Sequence, residues 1–414
     1  MRPMVSRLIQ STPLKPMDWH LITGEYPPQR GGVSDYSHLV ATGLAAEGDI
    51  VHVWCPSSKG EQPDEIGVVV HRALGNIGAA DLHRVGRRLD QFPAPRRLLV
   101  QWVPQGYGYR SMNLPFCFWL WQRAKFKRDH VDIIVHEPFL AFGEGSMKQN
   151  IAAAVHRVMV TILLNAAIRV WVSIPNWEIQ LRPFALGRNK SFAWLPVPSN
   201  IPVIEHSVGI TNVRAKYALP DELLVGHFGA YDLYMMELML ELLPSLLSVD
   251  NKLSVMLLGI GSVELRDRLI ERHPDLQDCV YATGTLSAEN ISLHISACDV
   301  MLQPYQDGVS GRRTSVMTAL SHGIPVVTNI GKATETCWVE SQAVELTKVR
   351  DIRAMVEATR SLLADEERRS SMSEFAVRLY RERFDLQHII SALRPTGVSQ
   401  SGESRVLSSH LLDN

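Results

Sequence analysis

Cysteine is scarce in this chain, neither sign of charge dominates, and long apolar runs are missing. Five cysteines, Cys55, Cys117, Cys279, Cys298 and Cys337, are scattered over 414 residues. Their number is odd and no C-x-x-C pair occurs. That argues against a disulfide framework and against a cysteine-built zinc site, and it fits reduced, cytosolic thiols. Lys and Arg total 42 and Asp and Glu 43, for a formal net charge of −1. No global basic field therefore points to nucleic acid. Glycine, at 27 residues, is far too rare for a collagen repeat. No stretch of about 18 unbroken apolar residues exists, so no transmembrane helix is expected. The nearest, 158–172, is interrupted by Thr161, Asn165 and Arg169. Residues 1–17 carry Arg2, Arg7 and Lys15 without the apolar core of a signal peptide, and read as a loose leader.

What is present is ordinary for a globular protein: 46% apolar and 21% charged residues. The length predicts two or three domains. The balanced charge conceals an asymmetry. Residues 1–200 hold 22 Lys and Arg against 15 Asp and Glu, and the remainder holds 20 against 28. Halves of unlike charge point to two domains with different roles.

Short apolar runs alternate with helical patterns. Strands are predicted at 20–22, 50–54, 67–71, 97–101, 131–136 and 170–173, with helices between them at about 32–47, 81–90, 114–127 and 151–167. Three prolines in 194–202 mark a linker or irregular crossing. A second alternation follows: strands at 223–228, 253–258, 280–282, 300–304 and 325–328, and helices at 233–247, 264–271, 291–297, 314–321, 353–364 and 366–384. Such alternation implies right-handed βαβ units and parallel sheets. The Ser- and Gly-rich tail, 395–414, is expected to be disordered.

Three constellations have chemical meaning. The first loop, Gly24-Glu25-Tyr26-Pro27-Pro28-Gln29-Arg30-Gly31-Gly32-Val33-Ser34, joins a strand to a helix. Adjacent glycines there let a phosphate approach backbone N–H groups at the positive end of the helix dipole. The other reading is a tight packing turn, since neither a P-loop nor a full G-x-G-x-x-G spacing is present. In the second, Gln303 to Ser315, paired Arg312 and Arg313 enter a helix after a glycine-rich turn. Planar guanidinium forks match diphosphate oxygens, or the pair is simply solvated. The third is His136, at the carboxyl end of a strand, where open α/β sheets place ligands. It contacts substrate or donates a proton, or is structural. A further segment, 114–128 (LPFCFWLWQRAKFKR), sets aromatic residues beside Arg123, Lys125, Lys127 and Arg128. It lies on an anionic membrane, or packs on a sheet with a basic outer end.

Through GEYPPQRGGVSDY, PVPSNIPV, LLGIG and PYQDGVSGRR…ALSHGIPVVT, the chain resembles family 4 glycosyltransferases between about 18 and 385. The last stretch is similar to bacterial members with a D-G-V-S-x-R-R signature. The resemblance implies an α/β GT-B architecture, two Rossmann-like parallel-sheet domains facing a central cleft: an acceptor domain at 18–200 and a nucleotide-sugar donor domain at 201–385. It implies retaining, metal-independent transfer of a sugar from a UDP- or GDP-type donor to a polysaccharide or glycolipid precursor. No other cofactor is implied. By it, Gly31, Gly32, Arg312 and Arg313 face the diphosphate, and His136 lies near the reacting sugar. Tyr281, Thr283 and Ser315 bind the nucleotide, and Asp307 is the nearest carboxylate for donor hydroxyls. The partners implied are the donor and a glycan or lipid-linked acceptor, at the cytoplasmic face of a membrane touched through 114–128. The sequence departs from the family pattern at Ser310, Gly311 and Thr318, where carboxylates are expected, and it lacks the usual Arg and Lys after Gly229. A catalytically silent nucleotide-sugar binder and a sugar-nucleotide epimerase are therefore weighed beside the enzyme.

Overall fold

The structure, a computed structural model, describes residues 16–60, 65–108, 111–143, 145–186, 190–248 and 252–394. Most of the expected leader and all of the expected tail lie outside these residues.

Two parallel sheets carry the chain. The first has seven strands in the order β3-β2-β1-β4-β5-β6-β7. They are β1 Asp18–Ile22, β2 Ile50–Trp54, β3 Val68–His71, β4 Arg97–Trp102, β5 His130–Val135, β6 Arg169–Val172 and β7 Ser191–Trp194. The second has six, in the order β10-β9-β8-β11-β12-β13. They are β8 Leu223–Phe228, β9 Leu253–Leu258, β10 Val280–Ala282, β11 Val300–Gln303, β12 Val326–Ile330 and β13 Glu345–Lys348. The central strands are buried along nearly their whole length, β9 without exception. Strands covered by helices on both faces need such continuous apolar runs. Chain direction across each sheet reverses beside the first strand, between β1 and β4 and between β8 and β11. In open α/β sheets that switch point opens the ligand crevice at the strands' carboxyl ends.

Helices α1 Gly32–Ala46, α2 Ala79–Leu89, α3 Leu114–Phe126, α4 Met147–Ala166 and α5 Pro175–Leu181 belong to the first half. In the second lie α6 Ser207–Tyr217, α7 Leu233–Leu247, α8 Ser262–Arg272, α9 Ala288–Ser296, α10 Thr314–Ser321 and α11 Thr336–Glu340. They are followed by α12 Ile352–Ala364, α13 Glu366–Leu379 and α14 Leu386–Leu393.

Several elements were not foreseen. The prolines of 196–202 hid β7, which ends just before them and pairs with β6. The polar edge strand β13 lacks an apolar alternation, yet pairs with β12 over four residues. Helix α4 starts four residues before the expected 151, because Ser146 and Gln149 cap it reciprocally. Helix α14 follows 385, beyond the expected second domain, and returns to the first. Its Ile389, Ile390 and Leu393 share a core with Val40 and Leu44 of α1. Arg394 then binds Glu47 at 2.9 Å and Asp49 at 3.1 Å. The two halves are thus joined twice, at 195–202 and at α14.

Helix α3 packs one face into the core and leaves the other exposed. Phe116, Cys117, Leu120 and Arg123 face inward, where Arg123 donates to Asp129 at 2.5 Å. Phe118, Lys125 and Phe126 face outward. No helix among the described residues is long and apolar enough to cross a membrane.

Candidate functional site

A cavity of about 540 Å³ opens at the carboxyl ends of β8, β9 and β11. Its floor is glycine because the backbone demands it. Gly259 adopts φ +114°, and a Cβ there would stand 2.1 Å from the carbonyl oxygen of Gly229. The strand ends approach too closely for any side chain.

Arg312, Arg313 and Ser315 line this cavity as the sequence led one to expect. Both arginines hold Asp307, Arg312 at 2.8 Å. Burial pushes the Asp307 carboxyl up, but the guanidiniums of Arg313 and Arg312 outweigh it and hold the group below the usual carboxylate range. Arg312 also crosses the cleft. It binds Glu137 at 3.2 Å and lies 5.7 Å from the centre of the Trp177 ring. Arg313 lies over Tyr305, whose hydroxyl meets the Ser315 hydroxyl at 2.8 Å. The Nε atoms of both arginines are buried with no hydrogen-bond partner among the described residues.

His136 follows β5 in the first half and adjoins the Glu137 that Arg312 reaches, but does not itself line the cavity. Its Nε2 is 2.8 Å from Gln101 Oε1, so it donates there, and the Tyr36 ring stands edge-on at 4.8 Å. Its carbonyl accepts from Trp177 Nε1 at 3.0 Å. Burial lowers its pKa to about 4. The imidazole is therefore neutral at physiological pH, which is at odds with a proton-donating role and fits a hydrogen-bonding one.

The glycine loop holds a surprise. Gly31 caps α1 in extended conformation, but the anion at this helix end is the chain's own: Glu25 Oε1 accepts from Ser34 N at 3.0 Å. A Cβ on Gly31 would lie 2.3 Å from that oxygen, whereas one on Gly32 would meet nothing within 4 Å. A carboxylate satisfies the helix N-terminus that a phosphate was expected to use.

Tyr281 and Thr283 do not line the cavity. Tyr281 donates to Asp278 O at 2.7 Å and packs against Tyr217. Thr283 donates to Gly284 O. Thr285 and Leu286, further along the same segment, line it instead. Where carboxylates were expected, Ser310 and Thr318 are fully buried. Thr318 donates to Thr314 O at 2.9 Å and meets the Ser199 hydroxyl at 3.2 Å.

Sequence reasoning missed Glu137 and Glu335. Glu137 adjoins the singled-out His136, so its position carried a signal. Glu335 lies 24 residues from the turn it touches, Gly311, and nothing local marks it. Among the described residues no group of three or more His, Cys, Asp or Glu side chains is placed to hold a metal ion.

Comparison with known proteins bears on this geometry. Residues 221–365 match the family model "Glycosyl transferases group 1". No curated protein matches the chain. Among solved structures, sucrose-phosphate synthase from Thermosynechococcus elongatus superimposes with a TM-score of 0.67 at 18% identity, over 91% of this chain and 97% of that one. HepE from Anabaena, solved with UDP, gives 0.66 at 14% identity over 91% and 98%. A glycosyltransferase from Rickettsia africae gives 0.68 at 10% identity over 92% and 97%. The chain thus has the two-domain GT-B fold of these proteins, and its 221–365 segment is glycosyltransferase-like in sequence as well as in fold.

Proposed function

We propose that the protein is a retaining glycosyltransferase that takes a sugar from a nucleotide-diphosphate donor, of UDP or GDP type, without a metal ion. The observation that carries this reading is the pair of buried, unpartnered Nε donors on Arg312 and Arg313 at a switch-point crevice. Buried donors without partners are costly, and a diphosphate would satisfy them. The UDP complex of HepE and the match over 221–365 support it.

Breaking a sugar–phosphate bond builds negative charge on the leaving diphosphate, and stabilising that charge is the largest catalytic need. Arg312 and Arg313 meet it, with Gly31 and Gly32 contributing once Glu25 moves aside. Asp307, held ionised, accepts from donor hydroxyls. Thr285 and Leu286 replace Tyr281 and Thr283 as nucleotide contacts, beside Ser315. Neutral His136, on the acceptor side, hydrogen-bonds the reacting sugar. Closing the cleft through Arg312 and Glu137 excludes water that would hydrolyse the donor.

The acceptor reading is a glycan or lipid-linked precursor at the cytoplasmic face of a membrane. Helices α3 and α4 contain no Asp or Glu. They expose Phe118 and Phe126, and Met147, Ile151 and Val158, respectively. An acid-free, aromatic and basic face suits an anionic bilayer.

A second reading, a silent nucleotide-sugar binder, is favoured by one observation: both arginines are already paired with the protein's own carboxylates, Asp307 with both and Glu137 with Arg312. Calorimetric titration with UDP and GDP, followed by a donor-hydrolysis assay with the sugars of the base that binds, separates the two. Binding with no turnover would favour the silent binder, and binding of neither nucleotide would remove the enzyme reading.

A further inference from the structure

The carboxylate of Glu335 is three-fold coordinated and belongs to no constellation described so far. Oε1 and Oε2 accept from the backbone N–H of Gly311 at 2.9 and 3.2 Å, and Oε2 also accepts from Trp338 Nε1 at 2.8 Å. The Gly311 carbonyl is held too, by Val197 N of the crossing at 2.8 Å. The peptide units on either side of Gly311 are thus clamped, one by Glu335 and one by the linker between the domains. Arg312 and Arg313 follow directly.

The surroundings are aromatic. Trp338 is fully buried and stacks on Phe384 at 5.3 Å, and Phe384 meets Trp194 edge-on at 5.8 Å. A Cβ on Gly311 would stand 3.0 Å from Glu335 Oε1 and 3.2 Å from the Trp194 ring. Glycine at 311 and the carboxylate at 335 therefore go together. A side chain at 311 would press on the carboxylate that grips its own N–H.

We infer that Glu335 is the positioning residue of the donor site: from the segment after β12 it fixes the Gly311 peptide, and with it the direction in which Arg312 and Arg313 enter the cleft. This rests on the reading of those arginines as the diphosphate cradle. Glu335 itself does not line the cavity. A carboxylate held by N–H donors in a dry site is strong while charged and weak once protonated. Burial raises its pKa to about 7, with the Gly311 N–H opposing. The other charged and titratable groups that interact with it are Arg312 on the turn and Cys337 on its own segment. The grip is therefore set near neutral pH.

The test uses the purified full chain with two variants, Glu335→Ala and Glu335→Gln. UDP affinity is measured by calorimetry at pH 6 and 8, and tryptophan emission is followed between pH 5.5 and 9. Expected is a loss of UDP affinity of about tenfold or more in Glu335→Ala, the weight of one charge-assisted hydrogen bond. Wild type is expected to bind UDP more weakly at pH 6 than at pH 8 by a larger factor than Glu335→Gln does. An emission transition near pH 7, from Trp338 beside the carboxylate, is expected in wild type and not in Glu335→Gln. A folded Glu335→Ala with unchanged UDP affinity overturns the inference. Should Glu335→Ala not fold, equal pH dependence in wild type and Glu335→Gln overturns it. If wild type binds no UDP, the donor reading falls, and the emission difference alone decides whether Glu335 titrates on the turn.

Discussion

Arg312 donates to Glu137 across the cleft at 3.2 Å while its other terminal nitrogen holds Asp307 at 2.8 Å. One side chain thus links the two walls and, in this state, spends its charge on carboxylates of the protein. Both partners are partly exposed, so the cross-cleft pair contributes modestly to stability, about 0–1 kcal/mol. Its significance lies in where it places the guanidinium.

Arg312→Ala should lose UDP affinity by about ten- to a hundredfold, the range expected for a hydrogen bond between charged groups. Glu137→Gln should move affinity the other way by a few-fold, since Arg312 is then released to the ligand. Calorimetry on both variants checks the pair, and equal affinities in all three proteins would contradict the assignment.

Glu25 caps the helix end that the double glycine was expected to offer to phosphate. Glu25→Ala should lower the stability of the ligand-free protein by about 0.5–2 kcal/mol, as loss of a helix cap does. It should also enlarge the rise in melting temperature produced by UDP. A variant with lower stability and no gain in UDP protection would leave Glu25 as a cap and nothing more.

Gly259→Ala should cost about 2–4 kcal/mol, because φ +114° strains any Cβ and the Gly229 carbonyl stands 2.1 Å from it. Gly32→Ala meets nothing within 4 Å and should change stability by less than about 0.5 kcal/mol. Denaturant midpoints compare the two. A drop in UDP affinity in Gly32→Ala at unchanged stability would mark the phosphate approach there.

Stability should fall as pH drops from 7 to 5. Burial is the first cause that depresses the pKa of His20 to about 3, His71 to about 4, His136 to about 4 and His227 to about 3. Between the unfolded value of about 6.5 and these folded values, the unfolded chain binds more protons, so acid favours unfolding. Glu335 acts in the opposite sense. Its raised pKa lets the folded state bind a proton between about 7 and the unfolded value of about 4.5. One carboxyl against four imidazoles leaves a net loss, and melting temperature against pH measures it. A flat profile would contradict the burial of these imidazoles.

The outer face of α3 should bind vesicles containing anionic lipid and not neutral ones. Phe126→Ser with Lys125→Glu should weaken that binding by about tenfold or more, since a basic residue near an anionic surface contributes about 1 kcal/mol. Co-sedimentation gives the result without any sugar donor. Equal binding to both vesicle types would remove the membrane contact.

The two parallel sheets are legible in the sequence, because strands buried on both faces need unbroken apolar runs, as in β9. The positions of Gly229, Gly259 and His136 just after strands, and of Arg312 and Arg313 just before a helix, are legible there too. Local patterns of that kind are written in neighbouring residues. What each of these groups touches follows from how the chain folds back on itself. Glu25 reaches Ser34, Arg312 reaches Glu137, and Glu335 reaches Gly311 across 24 residues. The tertiary fold also placed Thr285 and Leu286, rather than Tyr281 and Thr283, against the cavity, and brought α14 back onto α1. These are long-range or directional matters. A carboxylate's partner and its pKa follow from which loops close over it, and no local periodicity encodes that.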